Sequence, residues 1–322
     1  MTAPQGAVAR AREAAPAATA AVLLAIAPSV LGAYGVTLLS RALALGLLAV
    51  SVSVLTGFAG LPTLGQAAPF AVGAYTAGSL AIHGTTIGVV QLLAAAGAAA
   101  VFAVLTAPVV IRTRGVAFLM TTLAVSELAV TVAGRWKSVT GGTDGLYGMA
   151  NVRPFWGLGE LDSGTSVYWY VLVATMTLVL ITRLALRSPA GLLLTASRDN
   201  ESRMRSAGHP VTRYFLVAYI GAGALAGIGG ALIVTVGQFV SPADAGFENS
   251  ALVLLAVVIG GATSLYGALI GAGLIVATRD WLAGPFPGHG PLILGVLFIA
   301  AVYVLPQGVA GLIPALRGRI SR

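Results

Sequence analysis

Apolar residues run along this chain in stretches of about 20, the length a helix needs to cross the roughly 30 Å hydrocarbon core of a bilayer. Such stretches occupy residues 19–34, 36–56, 64–82, 87–111, 116–132, 167–186 and 214–236. Residues 250–282 are too long for one crossing and are interrupted by GGATSLYG at 260–267, which predicts a short helix, a break and a second helix. A last stretch covers 291–305, bringing the expected total to about ten transmembrane helices. The apolar–polar alternation of a membrane β-barrel is absent. The predicted fold class is therefore an all-α integral membrane protein whose spans include broken or short helices.

Composition leaves no room for a soluble domain, since 57% of the residues are apolar, 9% are charged and mean hydropathy is +0.94. Charge orients the spans. With ten crossings, Arg10, Arg12, Arg112, Arg114, Arg183, Arg187, Arg198, Arg203, Arg205, Arg213, Arg317, Arg319 and Arg322 fall on one side. Arg and Lys resist translocation, so that side is expected to be the cytoplasm. Arg41, Arg135, Lys137, Arg153 and Arg279 are the remainder. Counting 250–282 as one crossing would send the basic C-terminus outside, so parity favours ten, with both termini inside. The expected organisation is a cytoplasmic tail at 1–16, a transmembrane domain at 17–310 with a cytoplasmic loop at 187–213, and a cytoplasmic tail at 311–322. Arg10 and Arg12 ahead of 17–31 also suit the start of a cleaved signal peptide, but a small-x-small cleavage site is missing.

The net charge of +8 is spread over short loops and forms no basic stripe, which argues against a nucleic-acid partner. There is no cysteine, and His83, His209 and His289 are too scattered for a ligand set, so neither a metal site nor a catalytic residue is expected.

The one strongly polar island is SPAGLLLTASRDNESRMRSAGHPV, residues 188–211. Ser188 can cap a helix with Pro189 at its first position, where a missing N–H is harmless, and Gly208 followed by Pro210 is a stop signal. A compact helical elbow is predicted, with Leu192, Leu193 and Leu194 against the membrane face and Arg198, Asp199, Asn200, Glu201, Arg203 and Arg205 toward water. Such an elbow can dock into a groove on another protein, apolar anchors giving affinity and charges giving register. A solvated loop carrying positive-inside charge explains the same composition.

Inside the spans, Gly57, Gly60, Pro62 and Gly65 interrupt one pair of segments, and Gly260, Gly261 and Gly267 interrupt another. Broken helices free backbone groups that must face protein or a wet path. Close helix packing through small residues accounts for most of the 42 glycines. Glu127 lies near the midplane, about 16 Å into the span that begins near Val116. A carboxylate there costs about 3 kcal/mol or more without a partner, a wet path or a proton. Two roles stand: a structural bond to Ser126, Gln66 or a freed backbone N–H, or contact with substrate. TGGTDGLYG at 140–148 joins flexible glycines to Thr143 and Asp144, as a tight Asx-type turn or a gate. Gln66, Glu127, Thr143 and Asp144 are thus the candidate pathway residues. Trp136, Phe155, Trp156, Trp169 and Tyr170 fit an interfacial aromatic belt.

Longer motifs carry a resemblance. S-P-x-G, A-S-R-D-N-E and A-G-x-x-V-x-R-Y in the elbow are similar to the cytoplasmic loop of the LivM-type permeases, membrane subunits of ABC importers for branched-chain amino acids. TGFAGLPTLGQAAPFAVGAYTAG at 56–78, RTRGVAFLMTTLAVSEL at 112–128, TGGTDGLYG at 140–148 and ALAGIGGAL at 224–232 extend it. FVSPADAGFENSALVLLAVVIGGATSLYGALIGA at 239–272 completes it, and together the motifs stand in family order over most of 56–280. The resemblance implies an ABC importer permease fold in the cell membrane. It also implies a sister permease subunit, two separate ABC ATPase subunits and an extracytoplasmic substrate-binding protein. Arg198, Asp199, Asn200, Glu201 and Arg203 would then lie at the ATPase contact. ATP and Mg would belong to the partner, since no G-x-x-x-x-G-K-[ST] occurs in this chain and no cofactor of its own is expected. One departure is that family members often have extra basic residues just after the glycine, where this chain has Leu192 and Thr195.

The rival readings differ in what they require. A gradient-driven secondary transporter or channel wants ionisable relays, and apart from Glu127 and Arg41 the spans hold almost none. An intramembrane enzyme wants a nucleophile with a base, or a metal cluster, and neither is found. ABC permeases for urea, amides or sugars share the general plan, and TGGTDGL favours the amino-acid branch through resemblance alone.

Overall fold

The computed structural model of the chain describes residues 24, 26–29, 31–157, 159–283 and 295. Both tails and the last expected crossing at 291–305 lie outside the described residues but for residue 295, as do residues 19–23, 25 and 30 of the first at 19–34, and with them the start of the signal-peptide alternative. The long helices are α1 (Ala33–Ser53), which continues through a π-helical turn at Val54–Phe58, α2 (Ala67–Ile82), α3 (Gly88–Val110) and α4 (Val116–Arg135). After a single turn, α5 (Lys137–Thr140), come α6 (Gly164–Arg187), the short pair α7 (Pro189–Asp199) and α8 (Glu201–Ser206), and α9 (Val211–Gly237). Last are α10 (Phe247–Gly260) and α11 (Leu265–Ala283). Ala33–Phe58, α3, α4, α6 and α9 are each long and apolar enough to cross a membrane.

Small residues decide which helices sit at the centre. Along α9, a Cβ on Gly227 would overlap the Ala99 methyl of α3, and one on Gly223 would lie 2.9 Å from the Ala103 methyl. Across the same helix, a Cβ on Gly230 would overlap the Phe70 carbonyl oxygen of α2, and one on Gly229 would come within 3.1 Å of the Ala44 carbonyl oxygen of α1. Backbones therefore approach closely on several sides of α9, as small-residue packing in membranes requires. By contrast α3, α4 and α6 present exposed Leu93, Leu105, Val116, Leu128, Val173 and Leu184 outward, a surface suited to lipid.

The break at 260–267 turns the chain back on itself. Gly260 and Gly267 pack backbone to backbone where α10 and α11 meet, while Arg279 and Glu248 are 3.4 Å apart at the other end of the pair. The 14 residues of α10 extend only about 21 Å, so this helix enters the bundle without the length of a full span. At that same far end, β1 (Leu146–Tyr147) pairs antiparallel with β2 (Phe239–Val240), tying the loop after α4 to the end of α9.

Candidate functional site

The polar island folds as capped helices at one end of the bundle. Ser188 is the N-cap of α7, its hydroxyl oxygen accepting from the Gly191 amide at 3.4 Å, with Pro189 at the first position. Helix α7 ends at Asn200, whose side-chain oxygen accepts from the Arg203 amide at 2.9 Å and so caps α8. Gly208, at φ +82°, turns the chain into α9 after Pro210. The elbow is thus two short helices hinged at Asn200.

Its charged residues do not all face water. Arg198 turns inward: its Nη1 donates to the Gly57 carbonyl at 2.5 Å, and a Cβ on Gly60 would lie 2.6 Å from its Cγ. The reason is the break that follows the π-helical turn: the Val54 and Leu55 carbonyls are taken by the Ala59 and Leu61 amides, and the Gly57 carbonyl next to the break is the one the guanidinium satisfies. Glu201 is likewise held, by Arg114 Nε at 3.1 Å and by Arg205 Nη2 at 2.6 Å. Burial works to raise the Glu201 carboxyl, but the bonds from Arg114 and Arg205 outweigh it and hold the group below its ordinary range. Arg114 also stacks on Phe215, 4.8 Å from the ring centre, so the clamp joins the α3–α4 turn, α8 and α9. Arg198 and Glu201 keep 37% and 31% of their side chains exposed, so they stand at the water boundary as expected, but their charged ends are spent on bonds within the protein.

The outward face is narrower than the sequence suggested. Asp199 keeps 69% of its side chain exposed, and Arg203 and Arg205 are exposed with it. Of the three leucines, Leu194 is buried, Leu193 half-buried and Leu192 fully displayed at 64% exposure. Only Leu194, and in part Leu193, can pack toward the bundle, because a helix turns about 100° per residue and three consecutive side chains cannot share one face. Leu192 and Asp199, seven residues apart, lie on one stripe of α7.

The two broken regions meet directly above this elbow. A Cβ on Gly57 would overlap the Ala262 carbonyl oxygen, and Ser53 Oγ donates to that same oxygen at 2.7 Å. On the far side of the second break, Arg183 of α6 donates to the Tyr266 hydroxyl at 3.0 Å. A continuous route of contacts therefore leads from Arg198 through Gly57 to Ala262, and from the stem of the elbow to Tyr266.

The profile of the family described as "Branched-chain amino acid transport system / permease component" matches residues 34–302. The chain belongs to this family. It is 32% identical over 287 residues to the high-affinity branched-chain amino acid transport system permease protein LivM of Salmonella typhimurium, covering 82% of this chain and 67% of that protein. The Escherichia coli LivM matches to the same extent. A probable branched-chain amino acid transport permease protein LivH of Methanocaldococcus jannaschii is 29% identical over 220 residues, 63% of this chain and 67% of the archaeal one. No solved structure matches. The resemblance in the elbow and the glycine breaks is that of a LivM-type permease, and the helical bundle is that of a multi-pass membrane protein.

In the permease the remaining candidates are not gathered into one site: Glu127 is on α4, Gln66 precedes α2, and Thr143 and Asp144 follow α4 and α5. Gln66 is buried at the start of α2, where the Leu64 amide donates to Thr122 Oγ1 of α4 at 3.2 Å. Its Oε1 has no partner among the described residues. Glu127, one turn further along, accepts from the Phe247 amide at 3.1 Å, the N-terminus of α10. Of the structural partners weighed for it, the freed backbone N–H is the one in place; Ser126 instead donates to the Ala245 carbonyl at 2.7 Å. A carboxylate at a helix N-terminus is favourable because unpaired amides point there.

Thr143 and Asp144 lie beyond the end of α4, both exposed, in a 3₁₀ turn at Gly142–Asp144. Glycines make this turn: a Cβ on Gly145, at φ +75°, would overlap the Val240 carbonyl oxygen of β2. The Asp144 carboxylate bonds Thr143 Oγ1 at 3.5 Å, with no Asx-type bond to backbone among the described residues. Trp136, Phe155, Trp156 and Trp169 are exposed around the same end, as an interfacial belt would be. What sequence reading missed is the clamp. Arg205 stands four residues after Glu201, a helical pairing legible in sequence, whereas Arg114 is 87 residues away and carries no such signal.

Proposed function

We propose that this permease is one membrane subunit of an ATP-driven importer that moves branched-chain or related small amino acids into the cell. It works with a sister permease, two ABC ATPase subunits that hold ATP and Mg, and an extracytoplasmic binding protein. It resides in the cell membrane with the elbow and both termini in the cytoplasm. The chain itself carries no chemistry beyond binding and movement. Family membership and the LivM relatives support the class of cargo.

The observation that carries the mechanism is the Arg198 bond to Gly57, set where the first break touches the second. Helix α7, docked in the ATPase through Leu192 and Asp199 with Arg203 of α8 beside them, moves when ATP binds there. Arg198 is rooted on the same helix, so its motion is delivered to the Gly57 carbonyl and from there to the Ala262 loop. Both are non-standard backbone segments whose rearrangement disrupts few regular hydrogen bonds. Two states of the breaks, biased by the partner, give an outward-open and an inward-open path.

The test is replacement of Asp199 and Arg203 together by Ala in the assembled transporter. Expected is ATP hydrolysis that no longer drives uptake of leucine, with the amount of permease in the membrane unchanged. Unaltered uptake by the double variant would sink the docking role of the elbow.

A further inference from the structure

At the end of the bundle opposite the elbow, a cleft of about 470 Å³ opens between α1, α9, α10 and α11. Its size lies within the roughly 300–1,000 Å³ of small-molecule sites. Charges of both signs stand on its walls: Arg41 from α1, Asp244 from the 3₁₀ turn Pro242–Ala245, and Arg279 with Asp280 from α11. Leu45, Phe70, Val253 and Ile275 form an apolar floor beneath them.

Arg41 is the one charged side chain of α1, AYGVTLLSRALALGLLAVSVS, and no carboxylate among the described residues pairs with it. A guanidinium in an apolar helix is retained only where it has something to bind or a wet path to face. The carboxylates are not saturated. Asp244 accepts from the Ser241 amide at 2.8 Å and the Ser241 hydroxyl at 3.3 Å through Oδ2 alone, and Asp280 accepts from the Tyr34 hydroxyl, also through Oδ2. Each presents a second oxygen with no hydrogen bond to any described residue. Arg279 is already drawn aside to Glu248 at 3.4 Å.

A cation beside anions above an apolar floor is the complement of an α-amino acid. Its carboxylate and ammonium leave one carbon in different directions and its side chain leaves in a third. We propose that this cleft is a subsite for the zwitterion of an aliphatic α-amino acid, Arg41 taking the carboxylate, Asp244 and Asp280 the ammonium, and the floor the side chain. The inference rests on the importer reading and adds to it where the cargo pauses within the permease. A guanidinium can grip a carboxylate through two parallel N–H bonds. A side chain bearing its own charge would be stranded against Leu45 and Ile275, so acidic and basic amino acids are excluded.

The experiment uses the full chain in lipid nanodiscs, with binding followed by saturation-transfer NMR. The probes are L-leucine, leucinamide, which lacks the carboxylate, and 4-methylpentanoate, which lacks the ammonium. Expected is weak leucine binding, with each analogue weaker by about tenfold or more. Arg41→Gln abolishes the preference for leucine over leucinamide, and Arg41→Lys, which keeps the charge and serves as the folding control, retains part of it. Asp244→Asn lowers the preference over 4-methylpentanoate. The proposal is overturned if wild type fails to bind leucine at about 10 mM, if it binds leucinamide equally well, or if Arg41→Gln binds leucine as wild type does. Uptake of leucine by the assembled transporter is measured in parallel. Intact uptake with no binding in the cleft refutes the subsite alone, whereas a transporter that takes up no branched-chain amino acid refutes the importer reading beneath it.

Discussion

Replacing Gly57 by Ala perturbs the point where the elbow, the first break and the second break converge. The new methyl would overlap the Ala262 carbonyl oxygen and come within 3.1 Å of the Thr263 amide nitrogen. Both obstacles are backbone, so no rotamer change relieves them, and overpacking of this kind costs about 1–3 kcal/mol. The π-helical turn escapes by withdrawing from the 261–264 loop, which also breaks the 2.7 Å bond from Ser53 to Ala262. If the Gly57 carbonyl leaves Arg198 as well, a hydrogen bond to a charged group is lost, a further contribution of about 1.5–3 kcal/mol. The sum, about 2.5–6 kcal/mol, reaches no further than the lower end of the roughly 5–15 kcal/mol that holds a folded domain together. The protein is therefore expected to reach the membrane but to lose coupling. Membrane abundance, ATP hydrolysis and leucine uptake are measured on one preparation, with Gly97→Ala as control, since a Cβ there meets nothing within 4 Å. The control should transport like wild type. Wild-type uptake by Gly57→Ala would show that the contact between the breaks carries no motion.

Three further outcomes follow from the same geometry. Gly230→Ala, whose methyl would overlap the Phe70 carbonyl oxygen and lie 2.8 Å from the Ala74 amide, should sharply reduce the folded permease recovered from membranes, and normal recovery would contradict the packing of α9 on α2. Because Glu201 is held below its ordinary carboxylate range when folded, its pairing stabilises the elbow above the unfolded-state value of about 4.3 and is lost as pH falls through the lower folded-state value. The melting-temperature gap between wild type and Glu201→Gln should thus be open at neutral pH and close in acid; a gap independent of pH would refute the clamp. Glu127→Gln keeps an acceptor for the Phe247 amide and should transport within about twofold of wild type, a shift of under 0.5 kcal/mol in barrier, whereas a loss of two orders of magnitude would place Glu127 on the cargo.

Much of this arrangement was written locally in the chain and some was not. The Ser188–Pro189 cap, the Gly208–Pro210 stop and the interruption at 260–267 are each set by a few adjacent residues, so their consequences could be read directly. The hinge at Asn200 was harder, because a capping side chain looks from sequence like one more polar residue of the elbow. Arg198 illustrates the main limit. Its charge argues for water, and only the distant π-helical turn, 141 residues away along the chain, supplies the carbonyl that turns it inward. The meeting of Gly57 with Ala262 is equally non-local. Gln66, Glu127 and Asp144 share the polarity expected of a pathway, yet that they belong to different elements and do not meet appears only when the helices are packed.

The most direct measurement exploits the absence of cysteine from the chain, which makes a single introduced thiol an unambiguous reporter. Asp199→Cys, on the exposed stripe of α7, is treated with a membrane-impermeant maleimide in intact cells and in inside-out vesicles, with and without the ATPase subunits. Labelling confined to inside-out vesicles and suppressed by the bound ATPase is the expected result. A thiol that reacts in intact cells, or that reacts equally with the ATPase in place, would contradict the assignment of the elbow as the point where the motor grips the permease.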